Sequence, residues 1–161
     1  MKLHRRKDIR LKCHDYTQSG YYFITICTKE NQEILSNIDV GARIARPSEI
    51  GKLVECALHQ INEKYESVIL DKYVIMPNHI HMILIIRLSD ESGRAMRAPT
   101  ISTVINQFKG YATKQIGFSI WQKLFHDRII RNEDEYRRIW QYIDNNPADW
   151  TEDKYFVKSS K

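Results

Sequence analysis

Three cysteines in 161 residues, Cys13, Cys27 and Cys56, are too few and too scattered for a disulfide framework or a zinc knuckle. Cys27 and Cys56 fall within strand and helix patterns and read as small core residues, so a reducing cytoplasm is the expected compartment. Long apolar runs are also missing: none reaches a membrane span, and the polar, basic N-terminus lacks the apolar stretch of a signal peptide. There is no low-complexity linker and no internal repeat. These absences leave a single domain over 1–161, long enough to bury a core. The net charge of +5 is compatible with a nucleic-acid partner without proving one. It is concentrated in an N-terminal arm over about residues 1–15, where His4 to Lys12 is either a solvated terminus or a phosphate-contacting segment.

The patterned segments follow in a clear order. Tyr21 to Thr28 is aromatic and β-branched and predicts a first strand. A polar loop with Gly41 and Pro47 follows. Ile50, Leu53, Val54, Ala57, Leu58 and Ile61 then recur at helical spacing. Val68 to Met76 reads as a second strand, Pro77-Asn78 as a tight turn, and His79 to Ile86 as a third strand. The far half of that third strand is apolar on both faces, which predicts a central position covered on both sides. Ser89 to Pro99 reads as an exposed loop. Ile101, Val104, Ile105, Phe108 and Ala112 define a second helix that Gly117 ends, and Trp121 to Ile130 fits a fourth strand. Asn132 caps a third helix, with Glu135 reaching back in a capping box; Tyr136, Ile139, Trp140 and Ile143 form its stripe, and Pro147 stops it. Trp150, Tyr155 and Phe156 in the polar tail are available to dock. The expected architecture is α+β: a ferredoxin-like antiparallel sheet (βαββαβ) with helices on one face plus a C-terminal helix.

The chemistry concentrates at Met76-Pro77-Asn78-His79-Ile80-His81. Side chains alternate along a strand, so His79 and His81 point one way and Ile80 the other. Two imidazoles side by side suit one divalent cation and leave positions open for a further ligand and a substrate oxygen. Two helices offer that further ligand beside a tyrosine: Tyr111 with Gln115, and Tyr142 with Asn146. Each pair is four residues apart, so a phenol and an amide oxygen share one helical face. The amide can ligate a cation, and the phenol can attack an electrophile that the cation polarises. Periodicity does not choose between the pairs, and each also has a purely structural reading.

Met76-Pro77-Asn78-His79-Ile80-His81 resembles the HUH motif of single-tyrosine transposases, in which the middle residue is bulky and apolar. Tyr142-Ile143-Asp144-Asn145-Asn146-Pro147 resembles their late helix, and Trp121 to Asn132, running into Glu135-Tyr136, resembles the strand and helix entry before it. The Asn-Pro ending is most similar to the REP-associated tyrosine transposases, within the wider insertion-sequence group. The likeness spans about Tyr21 to Pro147. It implies Tyr142 as nucleophile on the C-terminal helix, and His79, His81 and Asn146 as the ligands of Mg²⁺ or Mn²⁺. Tyr111 would then be a helix-packing residue and Tyr111–Gln115 the runner-up pair. The wider group commonly has glutamine where this chain has Asn146, which is one methylene shorter and requires a closer helix.

The implied activity is transesterification on single-stranded DNA through a 5′-phosphotyrosine, at a hairpin with a short flanking recognition sequence. The alternative is a catalytically silent nucleic-acid-binding module on the same fold. The resemblance leaves monomer or homodimer open, with the Asn-Pro signature favouring the monomer. Arg5, Arg6, Lys7, Arg10, Arg94, Arg97 and Lys109 are the candidate DNA contacts, and His126 reads as structural or DNA-facing. Strand-end polar positions carry little packing, so His79→Ala and His81→Ala are expected to remove cleavage while sparing the fold.

Overall fold

The computed structural model describes residues 20–39, 41–87 and 99–157. The proposed contacts Arg5, Arg6, Lys7, Arg10, Arg94 and Arg97, and all of the 89–99 loop except Pro99, lie outside the described residues. The elements are β1 (Gly20–Cys27), β2 (Ser36–Asp39), β3 (Ile44–Pro47), α1 (Glu49–Lys64), β4 (Val68–Ile75), β5 (His79–Ile86), α2 (Ile101–Ile116), β6 (His126–Ile130) and α3 (Glu133–Asn145), with short 3-10 turns at Lys29–Asn31 and Trp150–Glu152.

The main sheet runs β4-β5-β1-β6 with every neighbouring pair antiparallel. β1 therefore connects through α1 to a strand two places away, and β5 connects through α2 in the same manner. This is the ferredoxin-like plan expected from the element order. All eight residues of β5 are buried, as a central strand covered on both sides requires. Ile80, Met82, Leu84 and Ile86 face a core built with Ile24 and Ile26 of β1, Val54, Leu58 and Ile61 of α1, and Val104, Ile105 and Phe108 of α2. Ile83 and Ile85 point the other way, to Ile139 and Ile143 of α3 and Ile130 of β6. Each such aliphatic side chain taken from water contributes about 1.5–3 kcal/mol before the entropy of ordering it is counted. No helix among the described residues is long and apolar enough to cross a membrane.

Helix ends follow local chemistry. The Ser48 hydroxyl accepts the Gly51 amide, the Thr100 hydroxyl accepts that of Thr103, and α2 stops at Gly117, whose φ of 92° suits glycine. Asn132 caps α3 by accepting the Glu135 amide at 2.8 Å, but Glu135 does not complete the capping box. Its carboxylate takes the Arg131 amide and the Arg128 guanidinium instead, which holds its pKa down.

Other expectations need correction. The polar stretch after β1 holds a two-stranded ladder, β2 with β3, instead of a plain loop. The strand expected from Trp121 begins only at His126, because the preceding segment spends its carbonyls elsewhere. Lys109 Nζ donates to the carbonyls of Gln122 and Leu124 at 2.9 and 3.2 Å. Lys109 is thus buried in a structural clamp and is not available as a DNA contact. Burial lowers its pKa to about 8. Cys27 is buried as expected, whereas Cys56 is exposed because it lies on the outer side of α1.

A candidate metal and nucleophile site

The site forms where β5 leaves the Pro77-Asn78 turn. His79 and His81 project to the α3 side of the sheet, and their Nε2 atoms lie 3.1 Å apart. Both Nδ1 atoms are held: His79 by the Asn78 side-chain oxygen and His81 by the Thr25 hydroxyl, each at 2.8 Å. If each Nδ1 carries the proton, as these acceptors permit, two Nε2 lone pairs face each other. That arrangement is repulsive unless a proton or a cation lies between them. Burial, partly opposed by Asp153, lowers the His79 pKa to about 4. Burial and the adjoining His79 push His81 well below its ordinary value. Both imidazoles are therefore neutral near pH 7, the form that ligates metal.

Two turns of chain bring the other groups. Asn146 keeps helical backbone angles (φ −54°, ψ −39°) at the end of α3, so it remains one turn beyond Tyr142 on the same face. The Tyr142 hydroxyl lies 3.3 Å from His81 Nε2 and 3.3 Å from Asp153 Oδ2. Asn146 Nδ2 donates to the same Asp153 oxygen at 2.8 Å, which turns the amide so that Oδ1 is buried without a hydrogen-bond partner. Burial first, then the Asp153 charge, raises the Tyr142 pKa to about 12. Ligand atoms of His79, His81 and Asp153 lie within 4.8 Å of one another. Two imidazole nitrogens, a carboxylate and an unpartnered amide oxygen make a mixed nitrogen and oxygen set fit for a divalent cation.

A strap from Trp150 to Phe156 closes over this set. The Tyr155 ring stacks 4.5 Å from that of His79, and the Tyr155 carbonyl accepts Asn78 Nδ2 at 2.7 Å. Phe23 covers His81 from the β1 side at 5.2 Å. Both histidines are at most 1% exposed, whereas Tyr142 is 41% exposed. This corrects the expectation that the histidines carry little packing: aromatic rings enclose both.

The sequence-predicted residues divide cleanly. His79, His81, Tyr142 and Asn146 converge. Tyr111 and Gln115 do not, because α2 packs on the opposite face of the sheet; Tyr111 is 40% exposed beside a cavity between α1 and α2. His126 is exposed and pairs with Thr25, which also pairs with His81, so it lies in the same cross-strand row. Asp153 was missed, as was the role of Tyr155 beyond its ability to dock. Nothing in a polar tail marks one acid for a site whose histidines lie some 70 residues earlier.

No family model matches the sequence. The chain is 33% identical over 174 aligned positions to an uncharacterized protein of Haemophilus influenzae, covering 96% of this chain and 95% of that one. Among solved structures, a REP-associated tyrosine transposase bound to a REP hairpin superposes with a TM-score of 0.62 over 93% of this chain and 74% of that one, at 21% identity. A Deinococcus radiodurans protein classed provisionally as a transposase superposes at 0.50 over 84% and 97%, at 17% identity. The likeness to these two is one of fold.

Proposed function

Because this chain belongs to one family with the Haemophilus influenzae protein and has the fold of a REP-associated tyrosine transposase, we propose that it nicks and rejoins single-stranded DNA with Tyr142 as nucleophile. The observation that carries this reading is the position of the Tyr142 hydroxyl, 3.3 Å from His81 Nε2 at the mouth of the paired histidines. His79, His81 and Asn146 Oδ1 would hold Mg²⁺ or Mn²⁺, with Asp153 as a further oxygen ligand while the strap is closed. When bound, the cation neutralises charge building on the scissile phosphate and favours the phenolate over the phenol.

The remaining steps belong to the protein. With the strap closed, Asp153 Oδ2 accepts the Tyr142 hydroxyl hydrogen; once the strap has moved aside, the phenol gives its proton to water as attack begins. The new bond joins the Tyr142 oxygen to phosphorus, and the bond from phosphorus to the 3′-oxygen breaks. The released strand ends in a 3′-hydroxyl after taking a proton from water. The 5′-phosphotyrosine preserves the ester, so a later 3′-hydroxyl can reverse the step and join strands. Phe23, 6.1 Å edge-on to Tyr142, keeps the ring facing the histidines. The strap must swing away for a phosphate to reach His79 and His81, because neither is open to solvent. Every group in the set comes from one chain, so a monomer suffices. A DNA hairpin with a short single-stranded flank is the proposed substrate; the neighbouring structure is bound to a REP hairpin.

The test is a covalent adduct. Incubated with Mn²⁺ and hairpin-bearing single-stranded DNA, the protein should yield a nucleotide mass on the peptide containing Tyr142. Tyr142→Phe should lose cleavage while retaining DNA binding. Cleavage that persists in Tyr142→Phe, or an adduct found on Tyr111, would remove Tyr142 from this role.

A further inference from the structure

On the side of α3 away from the Tyr142 hydroxyl lies a cavity of about 310 Å³. Its walls come from four places: Arg43 to Ala45 with Pro47 at the β3 end of the hairpin, Lys72 to Ile75 on β4, Ile143, Asp144 and Pro147 at the end of α3, and Glu55 of α1, whose carboxylate accepts the Tyr73 hydroxyl. Four consecutive residues of β4 line it because β4 is the sheet's edge, seen from the side. Among the described residues, peptide groups on that edge pair with no further strand of the sheet, leaving donors and acceptors in a row. The apolar wall is Ile44, Pro47, Val74, Ile143 and Pro147.

Three features tie this cavity to the chemistry next door. First, Val74 pairs with His81 in the ladder, so the cavity lies one strand from the candidate metal ligands. Ile143 and Pro147 each adjoin a site residue in sequence. Second, the register of β4 slips between Leu70 and Lys72, a bulge at Asp71. The slip moves Lys72 to the face of the histidines, where it pairs with Asp144 and places its Nζ 3.7 Å over the Trp140 ring. Third, Arg43 has a φ of 55°, the left-handed region, although Gly41 is only two residues away. A non-glycine residue there is strained, and the tight turn that joins β2 to β3 holds it in that conformation. Arg43 is exposed, and its guanidinium meets no carboxylate among the described residues.

We propose that this cavity is a nucleobase pocket: it takes one base of the single strand next to the cleaved phosphate, with Arg43 on that nucleotide's phosphate. The volume accommodates a purine or pyrimidine ring, the apolar walls enclose its faces, and the β4 edge bonds to its polar rim. Arg43 contributes the cation that an anionic backbone attracts. The proposal rests on the single-stranded DNA reading and adds where and how one base is held.

The experiment uses the full chain and five probes: the four 2′-deoxynucleoside 5′-monophosphates and 2-deoxyribose 5-phosphate, which lacks a base. At millimolar concentrations at least one nucleotide should shift the backbone amide resonances of residues 43–47 and 72–75, and the base-free sugar phosphate should not. Ala45→Trp, which fills the cavity, should abolish the shifts. Arg43→Gly relieves the backbone strain, so it should leave the melting temperature unchanged or raised while weakening nucleotide binding by about fivefold or more. Silence of these amides with every nucleotide, or equal shifts with the base-free phosphate, overturns the pocket. A Tyr142 adduct alongside such silence sinks the pocket alone. Base-dependent shifts with no adduct on any DNA keep the pocket and sink the transposase reading.

Discussion

The two halves of the candidate site are held by different physics. β5, which carries His79 and His81, is laddered on both sides and packed on both faces. The strap carrying Asp153 and Tyr155 belongs to no ladder. It is attached by the Asn78–Tyr155 bond, the Asp153 contacts to Tyr142 and Asn146, and the buried ring of Trp150. A strand with that many peptide-group hydrogen bonds to its neighbours opens only when the domain unfolds, whereas a segment held by a few side chains opens locally at much lower cost. The ligand geometry is thus fixed in advance on one side and covered by a removable layer on the other, which suits a site that must exclude water and still admit a polymer.

Deleting packing from each half measures the contrast. Ile80, fully buried behind the histidines, should cost about 2–5 kcal/mol as Ile80→Ala in urea denaturation. Tyr155→Ala should cost about 1 kcal/mol, because the ring is only half-buried and its carbonyl bond to Asn78 survives. Amide exchange in 150–157 should be faster than in β5 by orders of magnitude. Equal costs, or equal exchange rates, would make the strap part of the core and leave the histidines with no route to a phosphate.

The same contrast explains what the sequence reveals. β5 is legible because a His-Ile-His-Met-Ile-Leu-Ile-Ile run carries its partners' demands within itself: alternation at the start, apolar on both faces beyond. α1 and α2 are legible from spacing and caps, and Tyr142 with Asn146 from a one-turn interval. The strap is not, since Asp153 acquires meaning only from atoms about ten and seventy residues away. The β2–β3 ladder hides because its strands are four residues each, largely polar, with Pro47 at an edge position that a sequence reading demotes. The bulge at Asp71 leaves no local mark, and Lys109 reads as a surface cation until Gln122 and Leu124 fold over it.

Acid should strain the histidine half before the strap. Both imidazoles are held below their ordinary pKa, so as pH falls below about 6.5, down to about 4 for His79, the unfolded chain binds protons that the folded chain does not. This contribution is fully present above pH 6.5 and declines as pH falls through that window, by up to roughly 1.4 kcal/mol per pH unit for each histidine. Urea titrations of the metal-free protein at pH 7, 6 and 5 should show it, relative to a His79→Gln, His81→Gln double variant that lacks the titrating groups. Parallel losses in the two proteins would show that the histidines are protonated in the fold and poorly suited to a cation.

The smallest effect expected is at the far end of α3, and it asks whether that helix transmits strain to the site. Asn132 caps the first turn by accepting the Glu135 amide, and Asn132→Ala should cost about 1 kcal/mol. Tyr142 lies ten residues along, on turns anchored by Ile139 and Ile143 against β5. Fraying the first turn should leave those anchors in place, so cleavage by Asn132→Ala should stay within about twofold of the parent, a difference under 0.5 kcal/mol. If the cleavage rate falls by as much as the lost stability allows, about fivefold, α3 pivots as one rigid body. The mobile layer over the histidines would then include the nucleophile's own helix.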